Sequence, residues 1–409
     1  MEQFPTFPSN PEEQKEKFHT PFYAPTLEAF AKEIPEKEKS LEKVLNEIDT
    51  QAIGNFAVYK SETMPDVSFS YTKLTITPET IERLRGRIPS ESEGMIPEKE
   101  IGEEGEEKTN AGKQHYFLFT AFSPPPGGNA FTVEDVGIDR FIRLLPRVAR
   151  PLNAGEPVPA VEIYLLGAPT GFGGSVSKEW IENVKASGLE THGKLYAEFI
   201  AKHVPHEVPK DLEDTHVVLQ GVSKGAVAAA KTLKYLPEEI ASSTQRLLDN
   251  PAGDHEGGTV SRWIKGSQAA LGLIGETVSR MLFDDMLKGL MKTDKGFIDA
   301  LSEKTGIAKD DEETLKLKRG AVFAEAVALL KGTDLDTDEN RAFIRRGVLD
   351  PLTFNPKRFM DTLQKETPTV PLFKKGKAME APFKGHHFFI YNRYKRWAKI
   401  LDYVENSSE

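Results

Sequence analysis

The chain has 409 residues, of which 38% are hydrophobic and 28% charged, a composition typical of a soluble globular protein with a large core. A formal net charge of −10 leaves no basic surplus to meet phosphates, so a nucleic-acid partner is not expected. The chain has no cysteine, which excludes disulfides, thiolate metal ligands and a cysteine nucleophile. Neither a secretory leader nor a membrane-length apolar run is visible, so a cytoplasmic location and no transmembrane segment are expected.

The first part of the chain predicts an extension, two strands and a loop. Residues 1–50 form a predicted N-terminal extension, poorly ordered at first and then helical over 26–49, where a partial apolar stripe favours packing on the main domain. Apolar and polar residues alternate within 55–77, which predicts two strands. Residues 90–114 are acidic and lack aromatic side chains, so they predict a surface loop with little area to bury.

The next part of the chain alternates strands and helices. Apolar runs at 116–122, 160–166 and 217–219 predict strands, and the patterns at 138–152 and 178–203 predict the helices between them. This order is typical of an α/β protein with a parallel sheet and right-handed crossovers. Functional loops are then expected at the carboxyl ends of the strands.

The chemistry-bearing motif follows the third of these strands directly. It reads Gly221-Val222-Ser223-Lys224-Gly225 and leads into an alanine-rich helix. A strand that turns sharply into a helix forces strained backbone at the apex, and the flanking glycines make room for it. A chance match would place the serine in an ordinary loop, whereas this context favours a nucleophile elbow. The motif resembles that of the α/β-hydrolase superfamily.

The resemblance covers about Tyr116 to Val404 and implies a mostly parallel central sheet flanked by helices. The two strands of 55–77 would be its antiparallel edge, and the core would comprise 51–258 and 367–409. Ser223 would be the nucleophile of a lipase- or esterase-like serine hydrolase that acts on an ester or amide carbonyl. A small-molecule or lipid-like ester substrate and no cofactor are implied.

Residues 259–366 predict helices only and contain a strongly apolar stretch that bears several methionines. They lie between a predicted sixth strand at 244–248 and a last strand at 369–373. In the superfamily this position implies a helical cap. Its apolar residues either pack cap against core or line an apolar pocket, and both interpretations stay open.

The resemblance also implies a catalytic histidine just before the closing helix, which is predicted at 391–404. His386 stands there in a Gly-His-His-Phe-Phe sequence similar to the superfamily's terminal Gly-His-Phe. It directly follows the glycine and is therefore the predicted base. His387 is the alternative.

The acid departs from the usual pattern. Many members carry it in a turn after the seventh strand, but the corresponding stretch 376–380 has no aspartate. Lipases of the pancreatic type carry it after the sixth strand in a Leu-Asp-Pro-Ala-Gly-like sequence, and residues 248–253 resemble this with one insertion. Asp249 is therefore the predicted acid. The alternatives are Asp254, Asp350 and Glu380.

The oxyanion hole requires two backbone N–H groups. Lys224, directly after the nucleophile, would supply one. The other would come from the loop after strand 116–122, where prolines 124–126 have no N–H, so the donor must be Gly127, Gly128 or Asn129. A second glycine-rich loop at 167–175 is similar to the one after the fourth strand of many members.

Two observations limit these expectations. His203 and His206 flank a proline, so a solvated turn is expected there and not a metal site. The proline-rich oxyanion loop and the missing standard acid also favour a rival hypothesis, a non-catalytic hydrolase-fold protein that serves as a binding or interaction module.

Overall fold

The structure is a computed structural model that describes residues 38–84, 114–121, 127–128, 136–204, 214–249, 251–252, 295–296, 298–331, 342–347 and 379–383. The first half of the chain forms α1 (Glu38–Gly54), β1 (Ala57–Lys60), β2 (Ser68–Ile76), α2 (Pro78–Leu84), β3 (Gln114–Ala121), α3 (Val136–Ala154), β4 (Ala160–Leu166), α4 (Lys178–Ser187) and α5 (Glu190–His203). The second half forms β5 (Asp214–Val222), α6 (Lys224–Thr232), α7 (Glu238–Ser243), β6 (Thr244–Asp249), α8 (Glu312–Leu330), β7 (Ala342–Gly347) and β8 (Met379–Phe383).

The strands form one eight-stranded sheet in the order β1-β2-β4-β3-β5-β6-β7-β8. β2 is antiparallel to both β1 and β4, and every other neighbouring pair is parallel. The predicted antiparallel edge and parallel centre are confirmed, and the fold is α/β and α/β-hydrolase-like. β5 lies between β3 and β6, so the carboxyl end of the elbow strand lies in the middle of the sheet.

Side-chain alternation along the strands gives the sheet a core on each face. On β3, Leu118 packs with α1, α2 and α3, whereas Phe117 and Phe119 pack with α4, α5 and α6. α8 joins the second face, where Ala321 and Ala324 are buried. The central strands are therefore covered on both faces, as parallel strands require.

Helix α1 is part of the first core and contributes Val44, Leu45 and Ile48 to it. The helix predicted at 26–49 continues to Gly54, beyond its predicted end, and the residues before Glu38 lie outside the described part of the chain. Within the described ranges, no helix combines the length and the apolar character that crossing a membrane requires.

Two strands were not predicted. β7 lies inside 259–366, where the sequence predicted helices only, and it pairs with β6 as part of the central sheet. That prediction is wrong for 342–347. β8 pairs with β7 and contains Glu380, which the sequence placed in a turn after the last strand. The strand predicted at 369–373 lies outside the described residues, and the cap remains a prediction.

Candidate active site

Ser223 stands at the turn between β5 and α6 with φ 55° and ψ −120°. It is the one non-glycine residue with positive φ in the described ranges. Such backbone is costly for a residue with a Cβ atom and persists where the surroundings impose it. Gly221 makes the turn possible, because a Cβ atom there would lie 2.2 Å from the Gly225 carbonyl oxygen. The predicted strand, sharp turn and helix are present.

The amides that begin α6 are close to the serine. Ala226 and Val227 donate hydrogen bonds to the Ser223 carbonyl, at 3.1 and 3.4 Å. Lys224 and Gly225 come before them, and no described carbonyl accepts from their N–H groups. The first amides of a helix lack partners within the helix and carry its positive dipole end. They are therefore suited to a developing negative charge next to Ser223.

The loop with the other predicted oxyanion donors is held by the loop after β4. Gly127 donates its N–H to the Thr170 carbonyl at 2.8 Å, and Phe172 donates to the Gly128 carbonyl at 2.9 Å. The Gly127 amide is engaged, whereas no described carbonyl accepts from the Gly128 N–H group. Asn129 lies outside the described residues.

Asp249 is the last residue of β6 and pairs in register with Val222. Its carbonyl accepts from the Ser223 amide at 2.8 Å, so the acid predicted from sequence and the serine are joined through their backbones. Its carboxylate is buried, and Oδ2 accepts from Gln220 Nε2 at 3.0 Å. Gln220 Oε1 in turn accepts from Arg140 Nε on α3. Since arginine only donates, this contact fixes the amide with its NH₂ towards Asp249.

The remaining predicted site residues are placed as follows. Glu380 lies within β8 opposite Ile344 and not in a turn, which corrects the position expected for this alternative acid. His386, His387, Asp254 and Asp350 lie outside the described residues. Ala252 donates to the Ser223 carbonyl at 3.3 Å, so the turn that follows Asp249 is tied to the elbow.

A buried charged cluster behind the elbow was missed by the sequence analysis. Lys224 Nζ lies 2.5 Å from Glu325 Oε2, and His192 Nε2 lies 3.0 Å from Glu325 Oε1 outside hydrogen-bond alignment. The indole of Trp180 contacts the His192 ring edge-on, with 4.8 Å between centroids. Burial alone would raise the pKa of Glu325, but Lys224 and His192 lower it to about 2. The four residues come from four separate helices, and no motif links them in the sequence.

A second buried ion pair lies beside the loops. Lys318 on α8 is fully buried, and its ammonium donates to Asp310 Oδ2 and to the Gly171 carbonyl, both at 2.7 Å. Burial lowers the pKa of Lys318, and Asp310 opposes that shift. The Cβ position of Gly127 is 3.0 Å from Asp310 Oδ2, so this pair abuts the proposed oxyanion loop.

No group of three or more His, Asp or Glu side chains among the described residues is arranged to hold a metal ion. His203 ends α5, where its Nδ1 lies 2.8 Å from the Phe199 carbonyl and its ring stacks on Phe199. It is half-buried, which corrects the expected solvated turn, and burial lowers its pKa. His206 lies outside the described residues.

No protein-family model and no curated protein matches the chain. Among solved structures, peroxisomal alpha-beta-hydrolase Lpx1 from Saccharomyces cerevisiae is 10% identical, with TM-score 0.38 over 86% of this chain and 88% of that chain. The meta-cleavage product hydrolase CumD from Pseudomonas fluorescens IP01 is 13% identical, with TM-score 0.36 over 83% and 96%. Esterase B from Lactobacillus rhamnosis is 11% identical, with TM-score 0.27 over 94% and 99%. Because these identities and TM-scores are low, the fold assignment rests on the strand arrangement and the elbow.

Proposed function

We propose that this chain is a serine hydrolase that acts on an ester or amide carbonyl, with Ser223 as the nucleophile. The observation that carries the proposal is the positive φ of Ser223 at a strand-to-helix turn, beside the first amides of α6. A strained serine at the central carboxyl edge of a parallel sheet is an unfavourable arrangement for the fold alone. It is favourable for presenting a hydroxyl to a substrate.

In the proposed reaction, Ser223 Oγ attacks the carbonyl carbon while His386 takes its proton. The carbonyl oxygen becomes an oxyanion, which accepts hydrogen bonds from the amides of Lys224 and Gly128. The histidine then gives the proton to the leaving group, and water hydrolyses the acyl-enzyme by the same steps. Asp249 is the proposed acid that orients the histidine, and its carboxylate is already held by Gln220.

The substrate class proposed is a small or lipid-like ester. The test is turnover of a short p-nitrophenyl ester by the wild-type chain and by Ser223→Ala. Loss of turnover is expected with an unchanged melting curve, because the hydroxyl makes no described hydrogen bond that folding needs. Turnover retained by Ser223→Ala would contradict the assignment.

A second candidate is a non-catalytic binding module with the same fold. The specific observation in its favour is that the Gly127 N–H group donates to the Thr170 carbonyl. That N–H group is therefore not available to an oxyanion. A binding module would keep the strained turn but would not activate the serine. The two candidates therefore differ in reactivity and not in structure.

A further inference from the structure

Helix α8 contacts residues next to both proposed oxyanion donors. Near its C-terminal end Glu325 meets the side chain of Lys224, whose amide is one proposed donor. In its first half Lys318, together with Asp310 just before the helix, meets the loops that hold Gly127 and Gly128. We infer that α8 braces the oxyanion hole, with Glu325 and Lys318 as positioning residues for the proposed hydrolase. The inference rests on the proposed function.

The first contact is the ion pair between Glu325 and Lys224, which is costly to separate. Glu325 and Lys224 are both buried, and separating a buried ion pair leaves an uncompensated charge. Lys224 is the first residue of α6, so its side-chain direction is coupled to the backbone that orients its own amide. Holding the ammonium on α8 therefore restrains the residue that carries the N–H group beside Ser223.

His192 and Trp180 set the position of Glu325 from the opposite side. The His192 ring contacts the carboxylate oxygen that Lys224 does not use, and Trp180 supports that ring. The carboxylate is thus held between His192 on α5 and Lys224 on α6. Among the described residues, Lys224 and His192 are the only basic side chains that form an ion-pair contact with Glu325.

The second contact stabilises the other half of the hole. Lys318 joins Asp310 to the Gly171 carbonyl, and the adjacent Thr170 carbonyl accepts the Gly127 amide. Leu315 lies 2.9 Å from the Cβ position of Gly127, so a larger residue there would push against α8. The loop that carries Gly128 is therefore positioned from α8 as well as from β4.

The test uses p-nitrophenyl acetate turnover and inhibition by phenylboronic acid, whose tetrahedral adduct places an oxygen in the hole. Glu325→Gln should lower kcat on the order of 10²-fold with KM little changed, because a small displacement of a catalytic group costs about that much. Boronate inhibition should weaken in parallel. Glu312→Gln, on the same helix in an exposed pair with Arg319, is the matched control and should keep wild-type kcat.

Glu325→Gln leaves Lys224 buried without a counter-charge, so this variant can fail to fold. The double variant Lys224→Met with Glu325→Leu removes both charges and should fold, since apolar replacement of a buried pair is often tolerated. Its backbone still carries the residue-224 amide. The brace predicts a wild-type melting temperature with kcat at least about 10-fold lower. If the pair has only a structural role, the double variant should have both the melting temperature and the kcat of the wild-type chain. That result would overturn the inference.

Failure of the proposed function gives a different pattern from failure of the brace. If the wild-type chain neither turns over the ester nor reacts with a fluorophosphonate, the hydrolase proposal is wrong and the brace with it. If the wild-type chain reacts and Glu325→Gln folds with kcat within about twofold of it, only the brace is wrong, because misplacement of the donor should cost far more.

Discussion

The close packing of the turn between β5 and α6 requires a residue without a Cβ atom at position 221. The second glycine of the motif, Gly225, brings its carbonyl to 2.2 Å from the place a Cβ atom on Gly221 would occupy. The atom that would be struck belongs to the backbone, so no rotamer change relieves the contact. The strain at Ser223 is thus imposed by packing around it and not by its own side chain.

Gly221→Ala should therefore abolish the native elbow. The cost should exceed the about 1–3 kcal/mol of ordinary overpacking, since strand and helix backbones would have to separate. Gly320→Ala is the matched control, because the Cβ position there lies 3.7 Å from Ile181 within a helix, and a gain of up to about 1 kcal/mol is expected. Chemical denaturation of both variants measures the difference. Equal stabilities would contradict the account.

Asp49 on α1 is a buried carboxyl group whose Oδ1 accepts no hydrogen bond from the described residues. Burial raises its pKa from 3.8 to about 8. Since the folded state holds the proton more tightly than the unfolded state, the stability linked to Asp49 is complete below about pH 4 and falls as pH rises towards 8. The slope is about 1.4 kcal/mol for each pH unit in that window.

Asp49→Asn should remove this dependence, because the amide resembles the protonated acid and carries no charge at any pH. The free energy of unfolding of the variant should exceed that of the wild-type chain at pH 7.5 and approach it near pH 4. Denaturant titrations at several pH values give this comparison. A variant that is less stable than the wild-type chain at pH 7.5 would show that Asp49 is charged and paired.

At the scale of elements, the site depends on which strand carries the acid. β6 ends at Asp249, whose backbone is joined to Ser223, whereas Glu380 lies inside β8 with two strands, β6 and β7, between β8 and β5. This arrangement favours Asp249. The Gln220 and Arg140 contacts add a reason, because they hold the carboxylate at the carboxyl edge of the sheet.

Asp249→Asn should lower ester turnover by up to about 10⁴-fold, because an amide favours the wrong histidine tautomer. Glu380→Gln is the matched control and should leave turnover close to that of the wild-type chain. The measurement is kcat for both variants on the same ester, with circular dichroism to confirm folding. An inactive Glu380→Gln beside an active Asp249→Asn would place the acid on β8.

At the scale of the whole molecule, local pattern predicted the elements with strong local signals. The runs at 116–122 and 160–166 are mostly apolar, with Thr120 and Glu162 as exceptions, and became β3 and β4, and the glycine-flanked serine gave the elbow. β7 was not predicted because Arg345 and Arg346 interrupt its apolar pattern. β8 was not predicted because Pro382 argues against a strand. Their pairing to β6 and to each other is a long-range property.

The buried cluster around Glu325 was beyond sequence reasoning for a different physical reason. Lysine, glutamate and histidine on separate helices each look like ordinary surface residues, and only the packing of α8 on α4 and against α6 buries them together. Asp249, in contrast, was predicted from its resemblance to a short motif, and its place beside the serine follows from strand register. A short motif thus predicts local backbone geometry, whereas the burial of charged side chains depends on how the whole fold packs.

Reaction of the intact chain with a fluorophosphonate probe shows whether Ser223 is an activated nucleophile, because stable phosphonylation requires an activated serine. Peptide mass spectrometry then locates the adduct. We expect a single adduct on the peptide that carries Ser223, with none in Ser223→Ala and none after heat denaturation of the wild-type chain. A folded wild-type chain that remains unlabelled, or an adduct on another serine that persists in Ser223→Ala, would contradict it.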